Sequence, residues 1–199
     1  MIRVKRLVLD FLSVNCYLLW DSETMRGLIV DPGSSERRIT SAVEACGMEP
    51  EAILLTHAHV DHIARVPELC AKYGIPVWLH EADRGIYHSD KNALLPWMDV
   101  VQGLPEIMKG DCPTAGMNLQ VIHTPGHTPG GCCFYAPAEK FILTGDTMFR
   151  GTYGRTDLGG SLEEILRSIR EKLLVLPSDT VVYPGHLTPT TIGEEKDNY

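Results

Sequence analysis

The 199-residue chain has no apolar run approaching the roughly 20 residues that a membrane-crossing helix needs, which excludes such a span. Cysteine is sparse and unpatterned. The six, at Cys16, Cys46, Cys70, Cys112, Cys132 and Cys133, form no C-x-x-C pair and no disulfide-framework spacing, so free thiols are expected. Cys132-Cys133 falls in an apolar run and reads as packing. Positive charge is also short: 18 Lys and Arg stand against 26 Asp and Glu, and no basic stripe offsets the net charge of −8, which argues against nucleic acid as a partner. The first ten residues carry only a short apolar stretch closed by Asp10, unlike a secretory signal, so a cytoplasmic location is expected. Low-complexity segments are absent, and the length and 44% hydrophobic content suit one compact domain over 1–199.

What is present is histidine and carboxylate in a dense pattern. Thr56-His57-Ala58-His59-Val60-Asp61-His62 places three imidazoles and a carboxylate directly after the apolar run Ala52-Ile53-Leu54-Leu55, read as a buried strand. Imidazole and carboxylate together form the donor set for zinc, iron or manganese. A histidine-rich surface loop is the alternative for one such motif taken alone. Three more segments repeat the arrangement: His127 in Thr124-Pro125-Gly126-His127-Thr128-Pro129-Gly130-Gly131, Asp146 in Thr144-Gly145-Asp146-Thr147, and His186 in Pro184-Gly185-His186. Each follows a β-type apolar run, so each candidate ligand stands at a strand end beside residues suited to tight turns. Residues two apart on an extended segment share a face, so His57 and His59 can share an ion, whereas the chain must bend to bring in Asp61 and His62.

With these four motifs in this order, the chain resembles the metallo-β-lactamase superfamily, and Val14-Asn15-Cys16-Tyr17 and Val30-Asp31-Pro32-Gly33 extend the resemblance toward the start. Gly145-Asp146-Thr147-Met148-Phe149, Gly154-Arg155-Thr156-Asp157-Leu158 and Thr190-Thr191-Ile192-Gly193 are similar to its single-domain glyoxalase II-like (hydroxyacylglutathione hydrolase-like) branch. The resemblance implies a four-layer αββα sandwich with the site along one sheet edge. It also implies two divalent metal ions, zinc foremost and iron or manganese otherwise, with His57, His59 and His127 on the first, Asp61, His62 and His186 on the second, and Asp146 bridging. Asp61 and Asp146 are then the carboxylates nearest the chemistry. The implied reaction is hydrolysis of a small-molecule thioester such as S-lactoylglutathione by a metal-bound hydroxide. The alternative in the same superfamily is a persulfide dioxygenase with one iron on His57, His127 and Asp146.

The α/β reading has independent support. Strands are expected at Val4–Leu9, Asn15–Trp20, Gly27–Val30 and Pro76–Leu79, and helices at Ser35–Cys46, Val66–Tyr73 and Ser161–Lys172, the last with Ser161 as its cap. His80, His88 and His123 are left outside the metal set, His80 as a cap or packed side chain. Asp31 is a candidate acceptor for the far nitrogen of a ligating imidazole. Arg155 either holds a substrate carboxylate or pairs with Asp157. Arg65 stands beyond Ile63-Ala64, where the family generally has a small pair, and either binds an anionic substrate or pairs with Glu68. The stretch from Asp90 to Gly110 is expected to be a locally folded loop, with a lid or a subunit contact as alternatives; the oligomeric state is left open.

Overall fold

A computed structural model describes residues 1–95 and 97–199; Pro96, inside the 90–110 stretch, lies outside the described residues. Two five-stranded mixed sheets form the middle of the molecule. The first runs in the order β1 (Ile2–Val8), β2 (Asn15–Asp21), β3 (Arg26–Val30), β4 (Glu49–Leu54), β5 (Val77–Trp78). The second runs from β10 (Thr190–Thr191) through β9 (Val181–Pro184), β8 (Phe141–Gly145) and β7 (Cys132–Ala136) to β6 (Gln120–His123). Among the named strands of the described residues, β3–β4, β4–β5 and β8–β9 pair in parallel.

Alternation along each strand sorts its side chains into three apolar layers, as a period of two requires. Leu19, Leu28, Leu54, Phe134, Phe141 and Leu143 meet between the sheets. Their strand neighbours Leu18, Ile29 and Ile53 point outward and pack beneath α1 (Glu36–Cys46) and α3 (Val66–Tyr73), through Ile39, Val43, Val66 and Leu69. On the opposite outer face Cys133, Tyr135, Ile142 and Val182 meet Ile165 and Ile169 of α5 (Leu162–Ser168) and the wider turn Ile169–Leu173 that continues it. Three interlayer spaces define four layers, αββα, as expected.

The elements differ from expectation mainly at their ends. Leu9 falls outside β1 because its N–H turns to the Val14 carbonyl (2.8 Å) and closes the loop into β2. The first helix begins at Glu36, not Ser35, because Ser35 is left-handed (φ 52°) and its hydroxyl donates to Asp10 (2.7 Å) instead of capping. In the last long helix Ser161 does cap, accepting from the Glu164 N–H at 3.2 Å, but α-geometry stops at Ser168. The following turn widens, with Leu174 N–H reaching Ile169 O, and keeps Ile169 and Leu173 buried. Short helices α2 (Val60–Ile63) and α4 (Arg84–Tyr87) follow the ends of β4 and β5, whereas α6 (Ile192–Glu195) lies by the start of β9, with Ile192 N–H on Thr180 O and Gly193 N–H on Ser178 O.

The described residues of the 90–110 stretch fold locally against α4 and β5. Asn92 is buried in it, donating to Tyr87 O and accepting from Val101 N–H, while Ile107 bridges to Val77. Trp97 is 77% exposed.

Candidate metal centre

The four histidine and aspartate motifs arrive at one edge. His57 and His59 follow the end of β4, His127 lies in the loop from β6 to β7, Asp146 directly follows β8, and His186 follows β9. Asp61 and His62 open α2, the bend required to turn a second pair of donors toward the first. The loops are tied across the sheets: Cys132 N–H donates to Thr56 O (2.9 Å), Gly185 N–H to Gly145 O (2.8 Å), and Asn15 N–H to Gly185 O (2.7 Å). Gly33 is required by space, since a Cβ there would overlap the Asp61 backbone carbonyl.

The seven side chains form overlapping triads, His57/His59/His127, His57/His62/Asp146 and Asp61/His62/His186, whose facing atoms lie within 4.8 Å of one another in each triad. All except His186 and Asp146 are almost wholly buried. His59 Nδ1 lies 2.9 Å from His127 Nε2, and His186 Nε2 lies 3.1 Å from Asp61 Oδ2. Asp146 stands between the two groups: Oδ2 is 3.7 Å from His127 Nε2 and 3.6 Å from His186 Nε2, and Oδ1 is 3.4 Å from His62 Nε2. His57 Nε2, His62 Nε2, Asp61 Oδ1 and Asp146 Oδ1 are buried with no hydrogen-bond partner. Orphaned polar atoms of this kind are costly in a folded interior unless a cation completes them. The donor set therefore suits a dinuclear metal centre, without fixing the metal.

The outward nitrogens are held. His62 Nδ1 donates to Asp31 Oδ2 (3.0 Å), the role expected of Asp31, which itself accepts from Thr56 N–H (2.8 Å) and the Thr56 hydroxyl (2.7 Å). His57 Nδ1 faces the same hydroxyl at 3.1 Å, His127 Nδ1 donates to the Arg155 carbonyl (2.6 Å), and His186 Nδ1 to Leu12 O (3.2 Å). Each bond fixes a tautomer with Nε2 aimed inward.

Electrostatics divides the centre. Burial holds His57 well below the usual imidazole range, helped by neighbouring His62 and His127, and burial likewise pushes His59 down to about 3. For His62 and His186 burial pulls the same way but is outweighed, by Asp61, Asp146 and Asp31 around His62 and by Asp61 and Asp146 around His186, so both are raised. Burial opposes ionisation of Asp61 and Asp146, yet His62 and His186 outweigh it and both carboxyls are lowered. Burial raises the Cys16 and Cys132 thiols well above the usual range and Cys133 to about 11, so these three are not activated nucleophiles.

His80 caps the turn Glu81–Asp83, its Nδ1 accepting from Ala82 N–H at 3.3 Å, and its ring stacks on His123. Arg155 pairs through its guanidinium with Asp157 (2.7 and 2.6 Å), and its backbone carbonyl accepts from His127 Nδ1. Arg65 pairs with Glu68 (2.7 Å) and also lines a groove of about 670 Å3 that runs from Val60, between His59 and Asp61, past Phe11 and Ala64 to Trp97 and Val101. The reasoning from sequence missed Asp83, wholly buried and bonded to both histidine loops, whose only signal was an acidic residue at a strand-to-helix junction.

An αββα fold whose sheet edge gathers this donor set defines a metal-dependent hydrolase class. The chain belongs to the metallo-beta-lactamase superfamily, whose profile matches residues 9–186. It is 36% identical over 199 residues to the hydroxyacylglutathione hydrolase GloC of Haemophilus influenzae, spanning 92% of this chain and 89% of that protein. Among solved structures it superposes on the B3 metallo-beta-lactamase BLEG-1 with TM-score 0.89 at 33% identity, covering 98% and 97% of the two chains. The di-iron form of TTHA1623 gives 0.85 at 35%, covering 96% of each. ETHE1 of Myxococcus xanthus gives 0.77 at 27%, covering 98% of this chain and 82% of that one. Among the described residues no helix is long and apolar enough to cross a membrane.

Proposed function

We propose that this protein hydrolyses a small-molecule thioester at a centre of two divalent cations, zinc foremost, with His57, His59 and His127 holding one, Asp61, His62 and His186 the other, and Asp146 between them. The observation that carries the reading is the pair of complete donor triads flanking Asp146. Likeness to GloC over nearly the whole chain supports the thioester, S-lactoylglutathione or a related acyl-glutathione. Bound cations of this kind supply hydroxide near neutral pH and polarise a carbonyl oxygen.

The protein's own part is placement. Asp31, Arg155 O and Leu12 O hold three imidazoles so that Nε2 of each faces the centre. Asp61 Oδ2 faces His186 Nε2 at 3.1 Å, two acceptors that a shared cation would join, and Oδ1, without another partner, is left to take a proton of the attacking water. A thiol leaving group, with a pKa of about 8.5, departs without a dedicated acid. That suits an edge whose buried thiols stay protonated and whose carboxylates face histidines. The groove beside Val60 is of the size that holds a small organic ligand. Arg65 on its wall is the cation we assign to a substrate carboxylate. Six free cysteines support a reducing, cytoplasmic setting.

Likeness to ETHE1 keeps a second reading, the mononuclear-iron persulfide dioxygenase on His57, His127 and Asp146. The retained Asp61/His62/His186 triad favours the hydrolase, since one iron needs none of it. Acyl-glutathione cleavage and persulfide-dependent oxygen uptake, assayed on one preparation, separate them: the hydrolase reading requires the first and fails if only the second is found.

A further inference from the structure

Asp83 touches no donor of the centre, yet it joins the two loops that supply His57, His59 and His127. It sits at the head of α4, with its own N–H on His80 O (3.0 Å) and its side chain wholly buried. One carboxylate oxygen accepts from Ala58 N–H (3.1 Å), in the residue between His57 and His59, and from the Thr128 hydroxyl (2.8 Å), directly after His127. The other accepts from Gly130 N–H at 2.6 Å. The loop reaches this close only because residue 130 is glycine: a Cβ there would lie 2.5 Å from Asp83 N and 2.8 Å from its Cβ and Cγ. The Asp61/His62/His186 group has different anchors, Asp31 on His62 and Leu12 O on His186. Among the described residues Asp83 makes no hydrogen bond to that group.

We propose that Asp83 is a positioning residue for one half of the centre: it sets the spacing of the His57/His59 loop against the His127 loop, and so the affinity of that half for its cation. Three donors converge from segments 25, 45 and 47 residues away, and none of them is a metal donor. A carboxylate is the side chain that can accept from all three at once. Asparagine keeps the shape but replaces an acceptor oxygen with NH2, which must then face a donor. Loss of a group that orients metal ligands weakens affinity by about 10- to 100-fold. Here the loss falls on one ion.

The inference rests on the two-metal reading above but not on its substrate. The test places Asp83→Asn in two backgrounds, His186→Ala, which cripples the other half, and His59→Ala, which cripples this one. Zinc affinity is read by competition with a chromophoric chelator. In His186→Ala the added Asp83→Asn should weaken the remaining ion by at least tenfold; in His59→Ala the change should stay within about threefold. Equal losses in both backgrounds, or none in either, overturn the assignment. Amide exchange of the metal-free protein gives a readout without metal or activity: the Ala58 and Gly130 amides should exchange faster in Asp83→Asn, with Asn15 N–H, bonded to Gly185 O in the other half, unchanged. Acceleration at all three sites marks a general loss of structure and overturns the proposal. If Asp83→Asn does not fold, Thr128→Val removes one of the three bonds and should weaken the same ion, while Thr128→Ser should restore it; no difference between these two also overturns it. A parent chain that binds one ion refutes the two-metal reading, and Asp83 is then judged on amide exchange and on that ion's affinity.

Discussion

Gly185→Ala adds a single methyl group, and the structure says where it would go. A Cβ at residue 185 would overlap Asp146 Oδ1 and stand 2.8 Å from His62 Cε1 and 3.0 Å from the Gly145 carbonyl carbon. The backbone cannot retreat, because Gly185 donates to Gly145 O (2.8 Å) and accepts from Asn15 N–H (2.7 Å), one bond to each sheet. Asp146 must therefore withdraw by about 1 Å to regain ordinary carbon–oxygen separation. Metal–ligand distances tolerate about 0.2 Å, so the carboxylate between the two halves leaves its place. Overpacking of this kind costs about 1–3 kcal/mol of stability. Misplacement by about 1 Å costs on the order of 100-fold in rate. Gly85→Ala is the control: it lies within α4, a Cβ there meets nothing within 4 Å, and the change should raise stability by about 0.4–1 kcal/mol. Denaturant unfolding, metal content and thioester turnover should be measured on both variants. Gly185→Ala with two metals and parental turnover would refute the placement of Asp146 between the ions.

Acid should empty the centre in two steps. His62 and His186 are raised by their carboxylates and take up protons first as pH falls, whereas His57 and His59 are lowered and resist protonation, so metal leaves the Asp61/His62/His186 half first. Dialysis at stepped pH should pass through a plateau near one ion per chain, and simultaneous loss of both contradicts the sign of these shifts. Ser161→Ala removes the cap of α5 and should cost about 0.5–2 kcal/mol in unfolding with metal content unchanged; no change in the unfolding midpoint would mean that the cap contributes nothing. Arg65→Gly should raise KM for an anionic thioester more than for a neutral one, and equal effects would leave Arg65 as the partner of Glu68 alone.

The donor cluster was legible because its four segments follow apolar strands, and strand ends of both sheets meet along one edge. Asp31 was legible for the same reason, as a carboxylate closing β3. Asp83 was not. Its partners are two backbone N–H groups and one hydroxyl in loops 25 to 47 residues distant, and no periodicity or spacing marks a carboxylate that binds backbone. The Arg155 carbonyl on His127 was hidden likewise, because the motif advertises the side chain while the peptide group makes the bond. Continuous apolar runs marked the strands because helices outside cover the second face of each sheet, so strands such as Cys132–Ala136 and Phe141–Gly145 are buried on both sides. The shift at Ile169 from α-helix to a wider turn had no sequence signal either, since Ile165, Ile169 and Leu173 keep helical spacing through it.

The central claim, two cations serving a hydrolytic reaction, is tested most directly by metal analysis of protein purified without chelator, with thioester cleavage followed on the same sample as metal is removed and restored. Two ions per chain, with cleavage lost on removal and regained on return, is the predicted result. One iron per chain with persulfide-dependent oxygen uptake and no thioester cleavage would contradict it.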